Sequence, residues 1–315
     1  MSLNCVPTAD VSIITRTKDR PLLLKRAIED VLNQTYQNWV HVIVNDGGCQ
    51  TPVDMLLDEY KTQYNSRAHI IHNLTSRGME AASNRGINES DSKYIVIHDD
   101  DDTWHPEFLS KCIAFLDNEN HYLLKDQQYA GVVTHSTRIL ESIDDAKVKF
   151  VDKDSFNDWM KNISLSRLLC SNTFPPISFV FKRSLIREVG CFREDLPVLG
   201  DWDFHLRTAL RHEIGLIQEP LANYHHRLPN RNDSYSNTVV DANDKHRHYE
   251  NLYRNQLLRD DISNGRFGLG VMLVLCLYLE TLTSVVFSLK SIADKIFNNR
   301  AIRNLKPKLK KVFNR

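Results

Sequence analysis

Four consecutive aspartates, Asp99 to Asp102, follow the apolar run Tyr94-Ile95-Val96-Ile97-His98 and precede Thr103-Trp104-His105-Pro106. Adjacent carboxylates repel one another, so such a run costs stability unless a cation neutralises it. Hard divalent cations such as Mg²⁺ or Mn²⁺ take oxygen ligands and typically share one or two carboxylates with substrate phosphates. Metal-assisted handling of a phosphorylated substrate is the chemistry this would serve. For an isolated acidic run the alternative is a solvated loop capping the next helix, because aspartates favour helix N-termini. The strand in front of the run tips the choice toward a site.

The elements that must position these carboxylates come from the hydrophobic pattern. Val11-Ser12-Ile13-Ile14-Thr15 reads as a buried strand, and Pro21 opens a helix with apolar positions Leu24, Ala27, Ile28, Val31 and Leu32. Val40 to Val44 is a second strand, ending at the loop signal Asn45-Asp46-Gly47-Gly48. A helix over Val53 to Tyr64, a strand over Ala68 to Ile71 and a helix over Met79 to Asn88 follow. Such alternation implies a mostly parallel twisted sheet flanked by helices, with ligands bound beyond the carboxyl ends of the strands. Asp46 and the tetra-aspartate both lie at such ends. Further on, Gly131 to Leu140, Ile177 to Phe181 and Ile214 to Ile217 read as strands, Asp144 to Asp158 as a charged loop, and Asp201 to Arg211 as a helix.

The formal net charge of zero hides an asymmetry. The segment from Lys290 to Arg315 carries nine Lys/Arg against one acid, whereas the rest of the chain is acidic. The six cysteines lie far apart without a CxxC pair, which speaks against a zinc site or a disulfide framework and fits a reducing cytoplasm. The N-terminal stretch shows no signal-peptide pattern.

Taken together, the segments VSIITRTKDRP, VIVNDGG, SRGMEAASNRGINESDSKYIVIHDDDDTWHPEFL and LGDWDFHLR resemble the family-2 glycosyltransferases of the GT-A fold, over roughly residues 10 to 227. That resemblance implies a nucleotide-sugar donor, with UDP-sugars foremost. Thr15, Arg16 and Asp19 would line the base pocket, and Asp46 would accept hydrogen bonds from base or ribose, although taken alone an Asp-Gly turn is the commoner reading of Asp46. Arg77 and Asn84 match positions near the nucleotide. The family's Asp-x-Asp motif falls on Asp99, Asp100 and Asp101, with Asp99 at the ribose and Asp101 on the metal. The extra carboxylates leave the register open by one residue. Asp201 matches the general base of an inverting transfer, with Asp203 a second candidate and helix N-capping the alternative role. Gly200 stands where the family usually has Glu. His225 and His226 match a region that can complete the metal shell or contact the diphosphate, which Arg227 could help neutralise. The rings of adjacent strand residues face opposite ways, so one of them, taken as His226, would serve. His98 and His205 read as structural.

Phe267 to Leu289 is apolar enough to span a bilayer, yet Glu280 and the basic tail beyond it favour a helix on the inner face of the cytoplasmic membrane. Lys306, Lys308, Lys310 and Lys311 would then meet anionic headgroups. Packing on the protein is the alternative. The tail lacks the aromatic interleaving of a nucleic-acid binder. The expected organisation is a catalytic domain over 1–235, a helical connection over 236–266 and a membrane-associating extension over 267–315. The implied acceptor is a lipid-linked or polysaccharide hydroxyl, as in O-antigen or capsule synthesis. A nucleotidyltransferase would carry a glycine-rich phosphate loop after the first strand, and Thr15 to Arg20 contains no glycine. A membrane-bound scaffold that has lost transfer is the non-enzyme rival.

Overall fold

The computed structural model describes residues 9–118, 128–144, 147–227 and 243–298. In chain order the first elements are β1 (Val11–Thr17), α1 (Pro21–Leu32), β2 (Trp39–Asp46), α2 (Gln50–Glu59), α3 (Lys61–Tyr64), β3 (Ala68–Asn73), α4 (Met79–Asn88) and β4 (Tyr94–Ile97). Then come β5 (Thr103–Trp104), α5 (Phe108–Asp117), β6 (Tyr129–Asp144), β7 (Lys147–Ser155), α6 (Leu165–Cys170), β8 (Phe179–Lys182), α7 (Ser184–Val189), α8 (Gly200–Ala209) and β9 (Glu213–Arg227). Two further helices span Asn243–Ser263 and Leu269–Asn298.

One nine-stranded sheet runs β3-β2-β1-β4-β8-β6-β9-β5, with β7 paired to β6. Strands β3, β2, β1 and β4 are parallel, as their alternation with helices requires. Beyond β4 the sheet turns mixed: β8 lies antiparallel to β4 and β6, and β9 returns parallel to β6. The charged stretch expected as loop forms β7 instead, a hairpin partner of β6 whose side chains are almost all exposed. It needs no apolar face, because cross-strand pairs such as Arg138 with Asp154 hold it in water.

The core fills both faces of the parallel half, where Val11, Ile13, Ile14, Val42, Ile43 and Val96 are fully buried. Full burial of each such side chain contributes about 1.5–3 kcal/mol. Helix α4 lies close on β1 and β2 because of Gly86, where a Cβ would come 2.5 Å from Ile14 Cγ2. That close packing brings the first turn of α4 over the carboxyl ends of the parallel strands.

The chain divides into two compact units, Met1–Asn251 and Leu252–Arg315. In the second, Arg254 Nη1 donates to the Leu273 carbonyl at 2.9 Å, and the Asp261 carboxylate accepts the Val271 N–H at 3.0 Å. Leu269–Ile292 is long and apolar enough to cross a bilayer by length and composition, with mean hydropathy 2.0, and most of it is exposed. The lysines expected to meet headgroups lie outside the described residues.

Candidate active site

A cavity of about 550 Å³ opens at the carboxyl ends of β1, β2 and β4 and reaches the start of α8. Its volume suits a small-molecule ligand. The tetra-aspartate forms its floor. A turn closes when the Asp102 N–H donates to the Asp99 carbonyl at 3.2 Å, and the side chains then alternate. Asp99 and Asp101 keep 21% and 15% of their side chains exposed, whereas Asp100 and Asp102 are buried. The turn is anchored from behind by His98, whose ring bridges the Asp30 carboxylate at 3.0 Å and the Asp99 carbonyl at 2.9 Å. Trp104, stacked on Phe108, donates its indole N–H to the Ile177 carbonyl at 2.7 Å.

Each carboxylate has its own partners. Arg16 forks onto Asp99, Nε to Oδ1 at 2.7 Å and Nη2 to Oδ2 at 3.2 Å, while Nη1 reaches Ser83 at 3.1 Å. Burial opposes the charge of Arg16, but Asp99, Glu80 and Asp201 outweigh it and raise its pKa. Asp100 accepts from Thr17 Oγ1 at 2.7 Å and pairs with Arg20 at 3.4 Å. Asp101 pairs with Arg227 and with Arg20. Burial alone would raise the Asp101 pKa; Arg227 and then Arg20 hold it low. Asp102 accepts the His225 N–H at 2.8 Å, and burial together with the charges of Asp101 and Asp99 pushes its pKa well up.

Glu141 sits behind this floor. It accepts from Arg26 at 2.8 Å and from His225 Nδ1 at 2.8 Å, and pairs with Arg227 at 3.5 Å. These donors overcome burial and hold its pKa at about 2. Sequence reasoning missed Glu141, because nothing in its local pattern shows that β6 and β9 run side by side; Arg227, expected beside the diphosphate, pairs with Asp101 and Glu141.

On the opposite wall Asp201 begins α8. Asn172 Nδ2 donates to Asp201 Oδ2 at 2.7 Å. Burial raises the Asp201 pKa, against the Trp202 N–H, Arg16 and Asn172, which favour the charged form. Asp203 points elsewhere, bonding Arg207 Nε at 2.7 Å within the same helix.

The cavity brings together Arg16, Asp19, Asp46, Asp99, Asp100, Asp101 and Asp201 from the expected set, and adds Glu80, Leu199 and Tyr224. Asp46 reaches the cavity wall, but its carboxylate accepts from Asn73, Ser76, Arg77 N and Gly78 N at 2.7–3.1 Å, and so fixes the loop into α4. The other expected residues do not line the cavity. Thr15 is buried against His41 Nε2 at 2.8 Å. Asn84 clamps Phe192 through its carbonyl at 2.8 Å and its N–H at 3.0 Å. Arg77 extends outward beside Glu194 at 3.6 Å. His226 packs edge-on to Tyr224 at 4.4 Å, its pKa lowered to about 4 by burial, Arg138 and Arg227.

The carboxylate oxygens of Asp101 fit a hard divalent cation that also binds phosphate. Among the described residues no three His, Cys, Asp or Glu side chains are grouped to hold a metal by themselves. Substrate phosphates and water would complete such a shell.

The family model described as Glycosyl transferase family 2 matches residues 12–188. The uncharacterised glycosyltransferase MJ1057 of Methanocaldococcus jannaschii is 28% identical over 235 residues, which cover 73% of this chain and 74% of that protein. WcaA of Escherichia coli K12, a glycosyl transferase named for colanic acid biosynthesis, is 40% identical over 105 residues. That match covers 33% of this chain and 37% of WcaA. The solved structure of mannosyltransferase PcManGT from Pyrobaculum calidifontis, in complex with GDP-mannose and Mn²⁺, aligns with TM-score 0.54 at 13% identity. The alignment covers 96% of this chain and 84% of that one, and it shows the shared GT-A fold. A motif-bearing sheet with its carboxylates around one cavity, and a family match over more than half the chain, lead to one conclusion: this chain belongs to glycosyl transferase family 2.

Proposed function

We propose that the protein transfers a sugar, with inversion, from a nucleotide-sugar to a hydroxyl of a lipid-linked or polysaccharide acceptor. The observation that carries this reading is the placement of Asp201 on one wall of the cavity whose floor is Asp99 and Asp101. Asp201 takes the proton of the acceptor hydroxyl as that oxygen bonds to the anomeric carbon. The bond from that carbon to the diphosphate oxygen breaks, and the nucleoside diphosphate leaves with the electron pair. Asp99 faces the ribose, oriented by Arg16. Asp101 would hold Mg²⁺ or Mn²⁺, which would supply charge neutralisation for the diphosphate. The exposed apolar stretch Leu269–Ile292 supports a seat on the inner face of the cytoplasmic membrane, where a lipid-linked acceptor would be met.

Calorimetric titration with UDP and GDP, with and without Mn²⁺, tests the donor site. Metal-dependent binding that disappears in Asp101→Ala supports it. Binding of GDP alone changes the donor class, and no binding by folded protein favours the inactive scaffold.

A further inference from the structure

Glu80, in the first turn of α4, lines the same cavity and belongs to none of the expected site residues. It is only 6% exposed. Gly200 makes room for it: a Cβ at position 200 would lie 2.3 Å from Glu80 Cγ and 2.4 Å from Oε1, a separation real side chains do not adopt. Glu80 is therefore seated directly against the residue that precedes Asp201. Arg16 directs its three guanidinium nitrogens to Asp99 and Ser83. Among the described residues no side chain donates a hydrogen bond to Glu80, whose carboxylate is met by its own backbone N–H. Burial lifts its pKa to about 7; Arg16 opposes the shift, and the charges of Asp201 and Asp99 add to it.

A carboxylate accepts several hydrogen bonds, and with only its own backbone N–H on it Glu80 keeps acceptor positions that a ligand hydroxyl entering the cavity would fill. Three acidic side chains, Glu80, Asp99 and Asp201, surround Arg16, which is already forked onto one of them. A hydroxyl-rich, uncharged sugar suits these surroundings, whereas a sugar bearing its own carboxylate meets repulsion. Building on the glycosyltransferase reading, we propose that Glu80 is a specificity-determining residue: it accepts hydrogen bonds from hydroxyl groups of the transferred sugar and selects an uncharged hexose or N-acetylhexosamine over a hexuronic acid.

The test is titration of full-length wild type, Glu80→Gln, Glu80→Ala and Gly200→Ala with Mn²⁺ present, each checked for folding by thermal unfolding. The probes are UDP, GDP, UDP-glucose, UDP-N-acetylglucosamine, GDP-mannose and UDP-glucuronate. If Glu80 contacts the sugar alone, free-diphosphate affinity in Glu80→Ala should stay within about twofold, while the affinity added by an uncharged sugar should fall about tenfold or more. Glu80→Gln, which keeps an acceptor but not the charge, should retain sugar binding and lose discrimination against UDP-glucuronate. Gly200→Ala displaces the Glu80 carboxylate without removing it and should repeat the sugar-selective loss. Equal losses for UDP and UDP-sugar in folded variants, or no loss for either, would overturn the proposal and leave the glycosyltransferase reading intact. If wild type binds none of the six probes, that reading fails and the proposal with it.

Discussion

Asn172 donates its Nδ2 to Asp201 Oδ2 at 2.7 Å, and its Oδ1 faces His205 Nδ1 at 3.0 Å. The two contacts constrain each other. With the amide nitrogen on Asp201, the amide oxygen must accept, so the proton of His205 sits on Nδ1. Burial lowers the His205 pKa to about 3, which keeps the ring neutral and this orientation fixed. A side chain from the loop after α6 and a helical histidine thus aim the carboxylate proposed as base.

Replacing Asn172 with alanine should lower kcat by about ten- to a hundredfold, the worth of a hydrogen bond to a charged group. It should also move the acid limb of the rate profile. A base works deprotonated, so activity falls as pH drops through its pKa. Burial already raises that pKa, and Asn172 restrains it. The limb in Asn172→Ala should therefore lie at higher pH than in wild type, as read from kcat against pH.

The register of the tetra-aspartate is testable by amide substitution. Asp101 faces the cavity as a charged group, while Asp102 is buried and its pKa is raised by burial and by Asp101. Asp102→Asn can still accept the His225 N–H through its amide oxygen, so nucleotide affinity should change less than about threefold. Asp101→Asn should abolish the Mn²⁺-dependent part of that affinity. Parallel calorimetric titrations of the two variants distinguish them.

Arg16→Lys keeps the charge but loses the fork that holds Asp99 by both oxygens. Donor KM should rise about tenfold, with a smaller effect on kcat, in initial-rate measurements at saturating acceptor.

Glu141→Gln leaves Arg26, His225 and Arg227 without their shared counter-charge. Breaking a buried ion network from one side costs about 3–5 kcal/mol, which urea unfolding would read. The pH dependence follows from the depressed pKa. In the native protein Glu141 titrates at about 2, below the roughly 4.3 of an unfolded chain. Its stabilisation is present above pH about 4.3 and is lost as pH falls toward about 2. The variant should lack that part of the acid-induced loss.

Full-length protein should sediment with vesicles of anionic lipid, and Leu282→Lys with Val286→Lys, both on the exposed apolar helix, should reduce the bound fraction severalfold. Unchanged binding by the double variant would assign the membrane contact elsewhere.

The parallel half of the sheet was readable in advance because β1, β2 and β4 are near-continuous apolar runs ending in polar loops. In the mixed half the strands over Gly131 to Leu140, Ile177 to Phe181 and Ile214 to Ile217 were also readable, but β7, the full length of β9 and the pairing were not. Strand β7 buries no apolar face, and β9 continues through Asn223-Tyr224-His225-His226, a stretch whose polarity hides a strand paired along its length with β6. The family resemblance singled out Asp99, Asp101 and Asp201 as motif residues, and the fold brings all three to one cavity. Their neighbours Glu141, Asn172 and Glu80 come from distant segments and become visible only when the chain is folded. Thr15, Asn84 and Arg77 lie beside motif positions in sequence, but their side chains point into the core, into a loop clamp and outward.

The measurement to make first is transfer and donor binding by Asp201→Asn, with a nucleotide-sugar that wild type turns over. The expected result is donor affinity within about threefold of wild type and kcat reduced by about a thousandfold or more, because the variant keeps the hydrogen bond from Asn172 but cannot take the acceptor's proton. Transfer at the wild-type rate by that variant would contradict the assignment of Asp201 as the base.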